Sequence, residues 1–300
     1  MLTKLKKHTC KMSVNGAGSY RIDIGGVVKN GKVAGILLPP LKEKCGFVPT
    51  TRTGNLDVFW VSVEGPIGAG KTTLMNRLRD SLSVSYGHGN VVLLEENIDS
   101  LMESGLFQKY QKDPKRWAYL FQTKMFDLRT DEFLNTISKL HSSAMESWIP
   151  LLTIHQQSKR VVIITERSIM SGEVFMNVQQ RQGNVDQTEY DTYMAMHTKW
   201  KQLYPVHPSL VIYCTPGKES AQIVEVCQDR IRERARDAEE ELVTRAYNTI
   251  LLEEHERMFG GGAFPVPVMR MDTTENYKTD ERIALKKSGE VLDAIKAHWI

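Results

Sequence analysis

The sequence predicts an α/β fold in which five parallel strands form a sheet flanked by helices. Short β-branched runs alternate with longer amphipathic stretches, which is typical of βαβ units. An apolar content of 41% in 300 residues is enough for one large core or two modest ones. The predicted strands are Val58–Val63, Val91–Leu94, Val161–Thr165, Leu210–Cys214 and Val266–Met271.

Helices are predicted between these strands, where apolar residues recur every three or four positions. A last amphipathic helix extends from Asp280 to Trp299, with Val291 and Ile295 on the same side as Ile283 and Trp299. We expect this apolar side to close the core. The other predicted helices begin near Lys71, Pro114, Tyr190, Ala221 and Glu239.

The chain divides into a predicted N-terminal appendage, residues 1–56, and a folded domain, residues 57–300. The appendage is rich in glycine, is interrupted by Pro39, Pro40 and Pro49, and is expected to be partly ordered. Within it, Val27–Val33 places an Asn-Gly pair between valines, which predicts a hairpin.

Charge and cysteine usage restrict the class of protein. The basic excess lies mainly in the appendage, whereas the domain is mildly acidic, so a nucleic acid partner is not expected. The four cysteines form no zinc-binding pattern, which indicates reduced thiols. No apolar run reaches the ~20 residues that cross a membrane, and no membrane association is expected. The basic leader lacks a secretory pattern, so the expected location is cytoplasmic, with a mitochondrial location as the alternative.

A phosphate-binding loop is the most specific motif. The pattern G-x-x-x-x-G-K-T occupies Gly65–Thr72, directly after an apolar strand and before a predicted helix. This setting predicts a P-loop NTPase, in which backbone N–H groups and the positive end of the helix surround the phosphates. Lys71 is expected to contact the β- and γ-phosphates, and the Thr72 hydroxyl to bind Mg²⁺. The candidate phosphate-binding residues of the loop are Gly65, Gly68, Ala69, Gly70, Lys71, Thr72 and Thr73.

Two further strands end in charged residues. Glu95, Glu96 and Asn97 follow the second predicted strand, and Glu166 and Arg167 follow the third. Ligands of open α/β sheets bind at the carboxyl ends of the strands. A carboxylate there can accept the proton of an attacking hydroxyl, although it can also cap a helix or face solvent. We expect Glu166 to hold Mg²⁺ and Arg167 to bind phosphate.

An arginine-rich segment follows the fourth predicted strand. Arg230 and Arg234, like Arg232 and Arg236, are four positions apart and would share a helix face. Such a segment, about residues 228–240, can act as a lid that closes over ATP. The alternative is a solvated charged helix, but the presence of a phosphate loop favours the lid.

In these motifs the sequence resembles the deoxyribonucleoside kinases, from about Val58 to Phe259. The resemblance rests on the loop, on Glu96, on the segments 112–118 and 166–171, on the pair Phe121 and Gln122, and on the arginine run 230–236. The order and spacing of all these motifs agree with the family. The resemblance implies a P-loop kinase with an arginine-rich lid that uses ATP and Mg²⁺ to phosphorylate a deoxyribonucleoside in nucleotide salvage. It also implies a homodimer and feedback by a deoxynucleoside triphosphate.

The resemblance assigns roles to individual residues. Glu96 resembles the general base, Arg167 the cation beside it, and Lys71 the loop lysine, and these three are the catalytic candidates. Arg232, Arg234 and Arg236 resemble the lid arginines that bind ATP. The candidate nucleoside-binding residues are Glu96, Tyr110, Gln111, Phe121, Gln122, Arg129, Arg167, Gly172, Phe175 and Glu239.

Several positions depart from the family pattern. Asn97 replaces a proline, Leu101 an aromatic residue, and Gln111 a tyrosine that contacts the 3′-hydroxyl. Arg129 resembles members that prefer deoxycytidine or purines, whereas Gly172 resembles members that accept thymidine. The base preference is therefore open. Two other functions remain as alternatives, a thymidylate-type nucleoside-monophosphate kinase and a non-catalytic nucleotide-binding module.

Overall fold

The computed structural model describes residues 10–14, 20–24, 28–29, 32–33, 56–96, 98–146, 159–203, 207–234, 242–262, 264–275 and 277–299. Its strands are β1 (Cys10–Val14), β2 (Tyr20–Ile24), β3 (Val28–Lys29), β4 (Lys32–Val33), β5 (Leu56–Glu64), β6 (Val91–Leu94), β7 (Lys159–Glu166), β8 (Leu210–Thr215) and β9 (Val268–Asp272). Its helices are α1 (Lys71–Tyr86), α2 (Asp99–Glu103), α3 (Leu106–Lys112), α4 (Pro114–Glu146), α5 (Ser171–Arg181), α6 (Gln187–Leu203), α7 (Ser220–Arg234), α8 (Arg245–His255) and α9 (Glu281–His298).

The predicted five-stranded parallel sheet is confirmed, with the order β6-β7-β5-β8-β9. The five predicted strands agree with the observed ones to within two residues at each end. Strand β5 is central, because β7 pairs along most of its length on one side and β8 pairs with Val61–Glu64 on the other. The carboxyl ends of β5, β6 and β7 therefore lie side by side.

Two N-terminal strands extend this sheet, which the sequence analysis did not predict. β1 and β2 pair as an antiparallel hairpin, and β2 pairs antiparallel with the first residues of β5, Tyr20 opposite Val58. The sheet therefore has seven strands. The predicted Asn-Gly hairpin is confirmed by β3 and β4, in which Val28 pairs with Val33. The division into residues 1–56 and 57–300 stays a prediction, with the addition that the first segment contributes strands to the sheet of the second.

Strand β5 shows why the parallel strands are apolar on both faces. Side chains alternate between the two faces of a strand. Phe59 packs in a core cluster with Leu74 of α1, whereas Trp60 points to the opposite face. There its ring lies 4.4 Å from that of Phe133 on α4. Because helices cover both faces, both sets of side chains are buried.

The helix predictions are largely confirmed. α1 begins at Lys71, α4 at Pro114, α6 at Gln187 and α7 at Ser220, each within three residues of its predicted start. The helices α2, α3 and α5 were not predicted. α2 and α3 have only 5 and 7 residues, too few to show a clear helical period. The predicted start at Glu239 lies outside the described residues.

The C-terminal helix closes the core as predicted. Asp280 caps α9, since its carboxylate accepts hydrogen bonds from the backbone N–H groups of Arg282 at 3.0 Å and Ile283 at 3.4 Å. Val291 and Ile295 are fully buried in the cluster that also contains α1 and β5. Among the helices of the described ranges, none combines the length and apolarity needed to cross a membrane.

Candidate active site

The loop between β5 and α1 contains glycine where a side chain does not fit. Gly68 has φ +87°, and a Cβ atom there would lie 2.4 Å from the carbonyl oxygen of Cys227 on α7. Gly70 has φ +86°, and a Cβ atom there would lie 2.4 Å from the hydroxyl of Tyr277. Both the backbone angle and the lack of room require glycine. The loop therefore lies directly against α7 and the segment that follows β9.

The carbonyl groups of this loop are bonded from the outside by side chains far along the chain. The donors to the carbonyl oxygens of residues 67, 69 and 70 are, in turn, Asn248 (3.1 Å), Thr273 (2.7 Å) and Tyr277 (2.7 Å). Arg230 supports this arrangement by donating to the Thr273 carbonyl at 2.7 Å. The first N–H groups of a helix have no partner within it. With the carbonyls held outward, the loop and the start of α1 present N–H groups to an anion.

Lys71 is buried at the start of α1. Its Nζ atom donates to the Pro66 carbonyl at 3.0 Å and lies 3.8 Å from Glu166. Burial, followed by the nearby Arg167 charge, lowers the pKa of Lys71 to about 8. The neighbouring Thr72 hydroxyl donates to the Glu166 carboxylate at 2.8 Å. A hydroxyl and a carboxylate oxygen side by side at a phosphate loop are the oxygen ligands that suit Mg²⁺.

Glu96 lies between two arginines. Arg167 donates to one carboxylate oxygen at 2.5 Å, and the Nε of Arg129 donates to the other at 3.2 Å, with Nη2 of Arg129 also in contact. Burial alone would raise the pKa of Glu96, but the charges of Arg167 and then Arg129 outweigh it and hold that pKa well below its usual range. The carboxylate is therefore ionised at any ordinary pH.

Arg167 occupies a strained turn at the end of β7. Its φ is +67°, the one positive φ of a non-glycine residue in the described part of the chain. The turn is held by the buried carboxylate of Glu64, which accepts from the Ser168 N–H at 2.9 Å and from the Ser171 hydroxyl at 2.5 Å. Such strain persists only where the surroundings over-determine it, which is common in active sites. Glu64 thus fixes the direction in which Arg167 meets Glu96.

These groups form one continuous edge. Arg167 lies 3.6 Å from Glu166, which also contacts Lys71, and Glu96 completes the series. Arg167 links the two ends of this series, because it contacts both Glu96 and Glu166, and Glu166 in turn lies 3.8 Å from Lys71.

The predicted nucleoside-binding residues lie mainly on α3, α4 and α5, next to this edge. The rings of Tyr110 and Phe121 stack, with centroids 4.4 Å apart. Phe175 lies under both guanidinium groups, 4.9 Å from that of Arg167 and 5.8 Å from that of Arg129. Gln122 is buried, at 3% exposed, on the same helix as Phe121.

The remaining predicted residues lie on α3, α5 and α7 or outside the described residues. Gln111 has a buried amide nitrogen without a partner in the described chain, and Gly172 lies at the start of α5. Arg232 and Arg234 are exposed at the end of α7, where Arg232 pairs with Asp229. The positions outside the described residues are Asn97, Arg236 and Glu239.

Sequence reasoning missed the residues that support the loop and the arginine turn. Thr273 and Tyr277 bond loop residues about two hundred positions earlier, and no local pattern marks them. Glu64 gives a weak signal in the sequence, because it is an acid at the end of a mostly apolar strand. In the structure its side chain is fully buried. A buried acid directly before the phosphate loop could have been assigned to support the next strand end.

The class of protein follows from two groups that lie along this edge, the phosphate loop with Lys71 and the carboxylate of Glu96. The loop and Lys71 offer the groups that bind phosphates, and a carboxylate such as that of Glu96 can accept the proton of a hydroxyl. Phosphoryl transfer to an alcohol is the reaction that uses both the phosphate site and the carboxylate. By fold and site the protein is a P-loop kinase.

Comparison with known proteins narrows this class. A profile of the deoxynucleoside kinase family matches residues 61–297, and the chain belongs to that family. It is therefore an ATP-dependent phosphotransferase that acts on nucleosides. Membership favours a nucleoside acceptor over the two alternatives of a nucleoside-monophosphate kinase and a non-catalytic module.

Individual relatives agree with the family. A Fowlpox virus (strain NVSL) protein named "Probable deoxycytidine kinase FPV151" is 28% identical over 263 residues, 86% of this chain and 94% of the relative. Deoxyadenosine kinase from M. mycoides with bound dCTP superposes with a TM-score of 0.56 and 20% identity, over 79% of this chain and 100% of the other. The same enzyme with the products dCMP and a flexible dCDP gives a TM-score of 0.54 at 20% identity, over 80% and 100%. The structural likeness shows a shared fold.

Proposed function

We propose that this protein transfers the γ-phosphate of ATP to the 5′-hydroxyl of a deoxyribonucleoside, with Glu96 as the general base. The observation that carries the proposal is the partly buried Glu96 carboxylate, which Arg167 and Glu166 connect to the loop lysine, Lys71. A hydroxyl placed there would lie between a proton acceptor and the terminal phosphate. The product would be a deoxynucleoside monophosphate for nucleotide salvage.

The phosphate side of the reaction uses the loop. Its N–H groups and Lys71 would hold the β- and γ-phosphates, and Arg167 would stabilise the charge that develops during transfer. Thr72 and Glu166 would hold Mg²⁺, which neutralises phosphate charge when bound. We expect Arg232, Arg234 and Arg236 to close over ATP as a lid, with Glu239 on the sugar hydroxyl.

The two arginines on Glu96 set a condition for base catalysis. A carboxylate whose pKa is held low by two guanidinium groups is a weak base. We infer that the substrate hydroxyl displaces one of them, because losing one cation raises the pKa of Glu96 when the proton arrives. Arg167 is fixed by the Glu64 turn, so the contacts of Arg129 Nε and Nη2 with Glu96 are the ones expected to loosen, while Nη1 stays on the side of the base.

The acceptor would lie against α4. Gln122 is expected to pair with the base, Phe121 and Phe175 to pack on the ring, and Tyr110 and Gln111 to line the sugar side. The named relatives differ in their base, deoxycytidine for one and deoxyadenosine for the other, so the family leaves the base open. A homodimer, feedback by a deoxynucleoside triphosphate and a cytoplasmic location, with a mitochondrial one as the alternative, belong to the same proposal.

Replacing the base tests the proposal. Glu96→Gln should lower kcat by about 10²–10⁴, because it removes the proton acceptor, while nucleoside affinity changes little. The matched control is Glu95→Gln, which alters the exposed carboxylate one position earlier and should keep near wild-type turnover. The measurement is nucleoside-dependent ADP release at saturating ATP. Near-normal turnover of the Glu96 variant would remove this residue from the base role.

A further inference from the structure

The hydroxyl of Tyr193 on α6 is a buried polar group without a partner. The side chain is 1% exposed, and its oxygen has no hydrogen bond within the described chain. The ring is fixed by its neighbours, edge-on to Phe126 at 6.1 Å and parallel to His197 at 6.2 Å. An unpaired buried hydroxyl has lost its hydrogen bonds to water without replacing them, which destabilises the folded protein. A group held rigidly at this cost is a candidate for ligand contact.

This hydroxyl occupies the space beside Gly172. A Cβ atom at position 172 would lie 2.5 Å from the Tyr193 oxygen and 3.5 Å from the Phe126 ring. The backbone of Gly172 has no positive φ, so glycine is required here for space and not for conformation. The Tyr193 hydroxyl therefore reaches the start of α5, next to the turn that carries Arg167.

Two other polar groups, the Gln122 amide and the Arg129 guanidinium, share one side of α4. Gln122, Phe126 and Arg129 are four and three positions apart, the spacing of one helix face. Arg129 uses Nε and Nη2 on Glu96, whereas its Nη1 is buried and without a partner in the described residues. Phe126 contacts the Tyr193 ring, which brings the hydroxyl to this same face.

The side chains of Arg129, Tyr193 and Gln122 differ in the hydrogen bonds that they can make. Arg129 Nη1 can only donate hydrogen bonds. Burial raises the pKa of Tyr193 well above its usual value, so the phenol keeps its proton and can donate as well. The Gln122 amide can donate or accept, depending on its orientation. A base would therefore meet two donors and one adaptable group.

We propose that Tyr193 and Arg129 together bind a carbonyl oxygen on the edge of the nucleobase, which makes Tyr193 a specificity-determining residue. The preferred substrates are then deoxynucleosides with a carbonyl next to a ring N–H, as in uracil, thymine or guanine. An exocyclic amine at that place, as in cytosine or adenine, would set N–H against N–H. This inference rests on the proposed function, since it assumes that the base lies against α4.

Deoxyuridine and deoxycytidine provide the sharpest test, because they differ only at this edge. Wild-type protein should show a kcat/KM at least about tenfold higher for deoxyuridine. Tyr193→Phe should lower the deoxyuridine value about five- to tenfold through KM, the loss expected for one hydrogen bond, and leave the deoxycytidine value within about twofold. Deoxyguanosine and deoxyadenosine repeat the comparison for purines.

The melting temperature of Tyr193→Phe shows whether this substitution affects folding. Tyr193→Phe keeps the ring and removes an unpaired hydroxyl, so the melting temperature should be equal or higher. Gly172→Ala should impair the protein, and Gly172→Ala with Tyr193→Phe should restore folding without restoring base discrimination. Equal effects of Tyr193→Phe on both nucleosides, no effect on either, or a wild-type preference for deoxycytidine would overturn the inference.

Failure of the proposed function would look different. In that case no deoxynucleoside would be phosphorylated, although ATP binds. Titration calorimetry with deoxyuridine and deoxycytidine then still reports on the base site. Tighter deoxyuridine binding that Tyr193→Phe weakens supports the role of Tyr193, and indifference to the base rejects it.

Discussion

At the scale of single residues, the burial of Lys71 makes the phosphate site sensitive to pH. The pKa of this side chain is about 8 in the protein without ATP. A lysine is neutral above its pKa, and a neutral amine binds phosphate weakly. The affinity for ATP should therefore fall as the pH rises through about 8, by up to about tenfold per pH unit. Because bound phosphate favours the charged amine, binding near pH 8 should also take up a proton.

Calorimetry in buffers of different ionisation enthalpy, from about pH 7 to about pH 9.5, measures both effects. Lys71→Arg is the matched control, since a guanidinium stays charged throughout this range. Its affinity should be lower but independent of pH. If wild-type protein binds ATP equally well across the range without proton uptake, the lowered pKa of Lys71 is wrong.

The sequence predicted those site residues that local order marks. Glu96 and Arg167 were singled out because each lies two positions after an apolar run that becomes a parallel strand. Glu64 and Tyr193 were not, because their importance depends on partners that are distant along the chain. A sequence pattern records the residue at a strand end, but not the side chain that packs against it from another helix.

At the scale of elements, the phosphate loop depends on a segment that follows the last strand. Thr273 donates to the carbonyl of Ala69 at 2.7 Å, in a fully buried position. Thr273→Val keeps the shape but loses this bond, which should release the loop and raise the KM for ATP roughly fivefold, equivalent to about 1 kcal/mol. The KM for the nucleoside should not change. Steady-state kinetics with each substrate varied in turn measure the difference.

Thr273→Ser separates the hydrogen bond from packing. Serine keeps the donor and loses a methyl group, so the KM for ATP should stay near the wild-type value. If both variants raise it equally, the bond does not hold the loop, and packing at this position explains the effect.

Elements were predictable to the extent that they are long or uniformly buried. The central strands β5, β7 and β8 are buried on both faces, so their apolar runs stand out, and α9 shows its period over four turns. The pairing of β2 with β5 was not predictable, because an antiparallel strand of five residues carries no signal of its partner. The charged residues after the third predicted strand pointed to Arg167. They did not predict α5, because this helix begins with the small residues Ser171 and Gly172.

At the scale of the whole molecule, the last helix joins the end of the chain to the start of the central strand. Trp299 is 5% exposed, and its Nε1 donates to the Asp57 carboxylate at 3.0 Å. Its ring lies 5.4 Å from each of the rings of Phe59 and Tyr86. The same cluster includes Ala69 and Tyr277 of the phosphate site. The core that closes the fold therefore also supports the loop.

Removing this ring should destabilise the entire domain. Trp299→Ala deletes a large buried side chain and should lower the free energy of unfolding by about 3–5 kcal/mol. Trp299→Phe keeps an aromatic ring but loses the bond to Asp57, so its cost should be smaller, about 1–2 kcal/mol. Urea unfolding followed by tryptophan fluorescence and by circular dichroism measures both. If α9 instead opens independently of the sheet, the two probes will report different midpoints for Trp299→Ala, and loss of the helix will precede loss of the core.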